Sequence, residues 1–508
     1  VRIVQALNAL DPADAVSGHV LELDAMLRRQ GHETAIYSLH AHPEVAHRRR
    51  PITELVPAGG DLLLFHWAGY SPLGMVSGFP GRRGVVYHNV TPARFFEEGS
   101  ETWEFCRRGA EQRDVLPDVF HFAVGISEFS VRELAAAGFE HVRRLPIPWE
   151  TSGLDAVAPD PETASRLADG ATNLLMVGRI ARNKGLHHAV RAMDRIRAEL
   201  GRPVRLHLVG RSDAQPPYTD ELRRGIEERG LGDAVELTGE VTPAALRAHY
   251  AAADALLVLS EHEGFCVPVV EAMHLDVPVI GTEGTAVPET LGPGGLILPD
   301  RDPATIAEAV RRVVDDPDVR AGLLAAQREK RGEYTRASIE PLFRDLTDWG
   351  LSLDLPPRPA GFTPRISVVV CTYNRARVLE KCLEALRRID YPEYEVVVVN
   401  GPSTDDTDHV LHRFPDMKRI SNPRRNLSVS RNLGIAASAG EIVAFIDDDA
   451  VPDPKWLARL AEAYLDPTVA AAGGIVHYGD GSHLQFRYGT IDRLGLPDAV
   501  RDEPGEWN

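Results

Sequence analysis

Three short clusters of residues in this sequence have the types and spacing to do chemistry. In SEHEGFCVPVVEAM, residues 260–273, Glu263 and Glu271 stand eight positions apart. Pro268 suits the first turn of a helix, where its missing N–H would have no partner in any case. Glu263 then lies in the loop before that helix and Glu271 on its early turns. Two such carboxylates can grip different hydroxyls of one elongated ligand; an acid complementing the helix N-terminus is the plainer alternative. In GRIARNKG, residues 178–185, Arg179 and Lys184 set two cations where a strand turns into a helix. A departing pyrophosphate needs its charge neutralised at such a place, although a solvated basic loop would read the same way. Asp447, Asp448 and Asp449 end an apolar run. Alternate residues of extended chain point the same way, so Asp447 and Asp449 share a face. Their hard oxygens suit Mg²⁺ or Mn²⁺ bridging a diphosphate; the alternative is an acidic turn before Pro452 and Pro454.

Each cluster needs a strand to deliver it. Short β-branched runs alternate with helical patterns from the start: RIVQAL, a helix over 19–30, TAIYSL, LLLFHW, GVVYHN and FAVGIS. That alternation predicts a parallel sheet covered by helices on both faces. A second series runs through NLLMVG, RLHLVG, VELTG, ALLVLS and PVIGT, and a third through RISVVVCTYNR, EYEVVVVNGPSTD and EIVAFIDDD. The fold class expected is α/β, with two Rossmann-like doubly wound domains at 1–150 and 151–350. A proline-rich linker at 351–364 follows, then a nucleotide-binding α/β domain from 365 to 508 that is expected to be incomplete. The first join falls near 147–161, where Pro146, Pro148, Pro159 and Pro161 punctuate the chain. Residues 339–349 have the amphipathic spacing of a helix. In open α/β sheets ligands bind outside the carboxyl ends of strands, which is where all three clusters stand.

Taken in order, Ser17-Gly18-His19 at a helix start, then GRxxxxKG, LTGEV and EHEGFCVPVVEAM resemble the family 4 glycosyltransferases of GT-B fold over nearly all of residues 1–350. By that resemblance Arg179 and Lys184 hold the donor diphosphate, Glu271 holds the ribose, and Glu263 with the amides of Gly264 and Phe265 faces the donor sugar. Gly18 offers close backbone approach, and 237–241 borders the base. The family retains anomeric configuration and needs no metal. His66 and His88, both at strand ends, compete for the donor-proximal place; His88 is preferred, because Asn89 and Thr91 after it make a polar cleft edge. The closing helix of such a chain crosses back onto its first domain.

The segments Thr372-Tyr373-Asn374-Arg375, Asn400-Gly401-Pro402-Ser403-Thr404-Asp405, Ser430-Arg431-Asn432-Leu433-Gly434 and the aspartate triplet look like the opening half of a family 2 glycosyltransferase of GT-A fold. The resemblance implies donor contacts from Thr372, Tyr373, Asn374, Arg375, Asn400, Arg431 and Asp447, with Mg²⁺ or Mn²⁺ on Asp447 and Asp449. Many relatives carry an aspartate where Asn400 stands. Inverting transfer is implied, with a catalytic base beyond the matched region; Asp492, Asp502 and Glu503 are poor candidates for it.

Bulk properties exclude other classes. Asp and Glu outnumber Lys and Arg by 74 to 56, and a charge of −18 repels a long polyanion such as duplex nucleic acid. Cys106, Cys266, Cys371 and Cys382 lie far apart without metal-like spacing and read as reduced core thiols. No stretch has the length of apolar sequence that spans a bilayer, and no signal-peptide pattern opens the chain, so the expectation is a cytoplasmic protein. Arg48, Arg49 and Arg50 read as a solvated basic turn, or at most a peripheral contact with anionic headgroups. No strand-linked GxGxxG marks a dinucleotide site. The expected activity is bifunctional hexosyl transfer from UDP-, GDP- or ADP-sugars to a glycan, lipid-linked or other glycoconjugate acceptor in polysaccharide biosynthesis. Rival readings are one active transferase with a docking module, and a sugar-nucleotide sensor without catalysis.

Overall fold

The computed structural model describes residues 1–12, 14–55, 60–71, 76, 79, 81–212, 215–353, 363–464 and 471–473, with four short strands between 476 and 500. The chain divides into two compact units, the first made of residues 1–72 and 79–354 and the second of residues 73–78 and 355–508. The linker, residues 351–364, and Asp492, Asp502 and Glu503 lie largely or wholly outside the described residues.

The first unit carries two parallel sheets. Strands β1 (Arg2–Leu10), β2 (Glu33–Ala41), β3 (Arg50–Pro51), β4 (Leu62–Trp67), β5 (Arg82–Tyr87), β6 (Phe122–Gly125) and β7 (Val142–Arg144) line up as β3-β2-β1-β4-β5-β6-β7. All six residues of β4 are buried, as expected of a strand covered on both faces. The second sheet orders β8 (Thr172–Val177), β9 (Val204–Val209), β10 (Val235–Gly239), β11 (Ala255–Val258), β12 (Val279–Thr282) and β13 (Gly295–Leu298) as β10-β9-β8-β11-β12-β13. The strand order therefore reverses between β1 and β4 in one sheet and between β8 and β11 in the other. At such a switch point neighbouring crossovers leave in opposite directions and open a crevice at the carboxyl edge.

The helix Arg336–Ser352 returns to the first sheet, as the amphipathic spacing predicts. Its Ile339, Phe343 and Leu346 are buried in one core with Ile3, Leu23, Leu62, Val86 and Phe122, and Trp349 stands edge-on to Phe122 at 5.2 Å. Arg336 pairs with Glu22, and Arg29 with Glu340, at the rim of that contact.

The second unit holds a four-stranded parallel sheet of β14 (Ile366–Thr372), β15 (Tyr394–Asn400), β16 (Lys418–Ser421) and β17 (Ile442–Asp447), ordered β16-β15-β14-β17. Its switch point lies between β14 and β17. Valines of β14 and β15 are buried against the helices Ala376–Leu386 and Leu427–Ala437. The helix Leu427–Ala437 comes close through Gly434, where a β-carbon would sit 2.3 Å from Val369 Cγ1. All four cysteines are free thiols; three are buried and Cys371 is half-buried.

Candidate functional site

Every chemical cluster read in the sequence ends a strand beside a switch point. GRIARNKG follows β8 and SEHEGF follows β11, so the two loops face each other across the crevice of the second sheet. Gly178, Arg179, Lys184, Ser260, Glu263 and Pro268 line a cavity there. Lys184 Nζ meets Glu263 Oε1 at 2.7 Å, and Ser260 Oγ donates to the same oxygen at 2.7 Å. Glu263 is buried, and its own amide donates to Thr285 Oγ1 at 2.8 Å. The residues expected on the diphosphate and on the sugar are thus joined to each other. Arg179 is exposed and forms no ion pair among the described residues.

Glu271 lies on the helix Val267–His274, which has Pro268 in its first turn and Cys266 in left-handed conformation, φ +74°, as its cap. Glu271 is buried and accepts from Tyr250 Oη at 2.6 Å. Burial raises its pKa against the lowering effect of hydrogen bonds from Tyr250 and Ser152. Phe265 belongs to the core, edge-on to Tyr334 at 5.6 Å, so only its backbone is available to a ligand. Gly264 brings the loop against the first sheet: a β-carbon there would lie 2.4 Å from Asn89 Cβ and 3.0 Å from the carbonyl of His88. Gly18 approaches protein in the same way, with Thr151 Cγ2 only 2.8 Å from the place of its β-carbon.

His88 follows β5 and is buried. It is bonded to His66, whose Nδ1 lies 3.0 Å from His88 Nε2. His66 Nε2 in turn lies 2.9 Å from Gln5 Oε1. His19 stands edge-on to His88 at 5.3 Å, with neither ring nitrogen hydrogen-bonded. Burial drops the pKa of His66 and His88 well below the usual value and that of His19 to about 3, so all three are neutral at pH 7. Ring nitrogens of the three lie within 4.8 Å of one another, a spacing that could hold a metal ion. Both nitrogens of His66 are already committed, which opposes that use. Asn89, at φ +72°, accepts from His262 Nε2 at 2.5 Å and so links the loop after β5 to the loop after β11.

Gln5 and Tyr250 were not singled out in the sequence, and His19 and His262 stood there only inside motifs, without a role of their own. A period of two from the register places Gln5, His66 and His88 on one face of the first sheet, a signal that only the strand order makes visible. Leu237 and Gly239 end the edge strand β10, and the Gly210 amide donates to the Gly239 carbonyl at 2.9 Å.

In the second unit the loops after β14 and β15 are stitched together. The Asn374 amide donates to Ser403 Oγ at 3.0 Å and Asn374 Oδ1 accepts from the Thr404 amide at 2.7 Å. Asn400 spends its side chain on Ser403 and Asp408. Tyr373 lies under the guanidinium of Arg425 at 4.9 Å, and Thr372 Oγ1 is buried without a hydrogen-bond partner. After β17 the triplet alternates as expected: Asp448 is buried, Asp447 is 78% exposed at its side chain and Asp449 46%. Arg375 Nη1 reaches Asp448 at 2.8 Å and Asp449 at 3.0 Å, and Arg431 lies 4.0 Å from Asp447. Two exposed carboxylates on one side of a strand end are a donor set that fits Mg²⁺ or Mn²⁺, with Arg375 as the protein's own counter-charge.

Residues 162–337 match the family model for glycosyl transferases group 1, and residues 367–502 match that for glycosyl transferase family 2. The chain is 32% identical over 229 residues to D-inositol 3-phosphate glycosyltransferase of Kineococcus radiotolerans, covering 40% of this chain and 53% of that protein. It is 31% identical over 146 residues to the glycosyltransferase AglE of Haloferax volcanii, covering 27% of this chain and 48% of that one. The chain thus spans about half the length of these curated relatives. Among solved structures, Anabaena HepE in complex with UDP and glucose superposes with a TM-score of 0.54 at 15% identity, over 68% of this chain and 99% of that one. That likeness extends the GT-B fold over the first unit. Two glycosyltransferase families therefore meet in this chain, group 1 in residues 162–337 and family 2 in residues 367–502.

Proposed function

We propose that the chain is a bifunctional glycosyltransferase, moving sugars from nucleotide-sugar donors to a glycan or glycoconjugate, lipid-linked acceptors included. The observation that carries this is the crevice between β8 and β11, where Arg179 and Lys184 end one strand and Glu263 follows the other. Cations fixed at that place stabilise the charge that develops on a departing diphosphate, which is where such a reaction needs help. Domains at 1–150 and 151–350 form the first module, with Gly264 and the Phe265 amide beside the donor sugar and Glu271 on the ribose. The second module, residues 365–508, binds its donor with Thr372, Tyr373, Asn374, Arg375, Asn400, Arg431 and Asp447. Asp447 and Asp449 would hold Mg²⁺ or Mn²⁺, which when bound neutralises the diphosphate. Transfer is retaining in the first module and inverting in the second, and the setting is the cytoplasm; among the described residues no helix is long and apolar enough to cross a membrane. HepE binds UDP, which makes UDP-sugars the first donors to try, before GDP- and ADP-sugars.

The test is calorimetric titration of the full chain with UDP, GDP and ADP, with and without EDTA, followed by transfer assays. Two binding events, one of them lost with EDTA, are expected. A single event insensitive to Asp449→Asn would leave one working transferase with a docking module. Binding without release of nucleoside diphosphate in the presence of any glycan would leave a sensor.

A further inference from the structure

Gln5, His66 and His88 form a chain of hydrogen bonds whose direction can be worked out from one end. Gln5 Nε2 donates to the Val20 carbonyl of the overlying helix at 3.1 Å. A flipped amide would set its oxygen against that carbonyl oxygen, so Gln5 Oε1 must face His66. An amide oxygen only accepts, hence His66 Nε2 carries a proton and, in the neutral ring, His66 Nδ1 carries the lone pair. That lone pair requires a proton on His88 Nε2, 3.0 Å away. Gln5 and His66 are buried, so water does not substitute for a partner at the two hydrogen bonds that join the chain.

We propose that Gln5 and His66 are positioning residues that hold His88 as the tautomer with its lone pair on Nδ1, so that His88 accepts a hydrogen bond from a hydroxyl of the bound sugar. The inference rests on the reading of the first unit as a nucleotide-sugar transferase. His88 Nδ1 is the nitrogen left over: it has no partner among the described residues and is not sealed from solvent, and the backbone carbonyl of His88 lies 3.0 Å from where a β-carbon on Gly264 of the donor loop would sit. A ring kept neutral at pH 7 is a poor base and a good acceptor, so it orients the sugar and takes no proton from it. A ligand that presents an acceptor in place of that hydroxyl would meet lone pair with lone pair and be rejected.

Histidine-selective ¹⁵N labelling of the full chain, read by long-range ¹⁵N–¹H correlation with His88→Gln as the assignment control, reports which ring nitrogen is protonated. Protons on Nε2 of both His66 and His88 are expected. A proton on His88 Nδ1, or an even mixture, overturns the proposal. Gln5→Met removes the oxygen that starts the chain; His88 should then populate both tautomers and kcat should fall about tenfold, with KM for the nucleotide sugar little changed. His66→Gln, whose amide oxygen still accepts from His88 Nε2, should retain more activity than His66→Phe. Unchanged tautomer and rate in Gln5→Met would also overturn it. If the full chain binds no UDP-, GDP- or ADP-sugar, the transferase reading fails, and the spectrum still decides the tautomer.

Discussion

At the scale of single residues, the site holds groups in states they would not choose in water. Glu271 has its pKa raised by burial, so its ionised form opposes folding. A carboxyl whose folded pKa lies above the unfolded value of 4.5 costs stability once pH rises past 4.5, and the full cost stands above the folded pKa. Glu271→Gln should therefore raise the melting temperature at pH 7, by an amount that shrinks toward pH 4.5, while nucleotide affinity falls. A lower melting temperature at pH 7 would mean that Tyr250 and Ser152 outweigh desolvation. His19 shows the opposite titration: its pKa falls to about 3, so the unfolded chain binds the extra proton between pH 6.5 and about 3. Stability is lost as pH drops through that window. Its two nitrogens also lack hydrogen bonds. His19→Leu should make urea unfolding less acid-sensitive between pH 7 and pH 5; an unchanged difference between those two midpoints would show that His19 takes no part in that sensitivity. Lys184 and Glu263 are the reverse case, a part-buried pair in which each partner compensates the other. Lys184→Met strands the carboxylate and should cost about 2 kcal/mol, less than a sealed pair because Lys184 is partly solvated.

Elements carry these residues to one place, and here the sequence was only partly legible. Runs such as LLLFHW and ISVVV announced buried parallel strands, and Pro268 announced a helix start. The order of strands was not legible, because runs of similar apolar residues do not encode which neighbour each strand takes. The bond between His66 and His88, whose strands are adjacent, was consequently hidden. Phe265 was read for its backbone amide alone, and its side chain is buried in the core, where a large apolar group gains by burial. Arg375 lay 72 positions before Asp447, and only pairing of β14 with β17 brings it onto the triplet. The helix Arg336–Ser352 was legible from its spacing and has an energetic consequence that can be measured. Phe343 is fully buried between that helix and the first sheet. Phe343→Ala should lower unfolding free energy by about 3–5 kcal/mol, the range for an aromatic truncated in a core. A loss below about 1 kcal/mol in denaturant titration would mean that the helix is held mainly by its rim ion pairs.

On the scale of the whole molecule, the same solution recurs three times: a parallel sheet whose strand order reverses, with the chemistry placed at the reversal. The residues placed there differ in kind. At β8 and β11 they are two cations and a buried glutamate, so the charge that would meet a diphosphate belongs to the protein. At β14 and β17 three aspartates gather, and two of them lean on Arg375. A diphosphate meets three carboxylates there against Arg375 and Arg431, so added positive charge favours its approach. Metal dependence should therefore separate the two modules cleanly. EDTA, Asp447→Asn and Asp449→Asn should each abolish one transfer and leave the other within about twofold, and Arg179→Ala should do the converse. The assay is product analysis with each nucleotide sugar in turn, on one preparation of the full chain. Loss of both transfers from either set of variants would mean that the two modules share a single active site, which two separate switch points give no reason to expect.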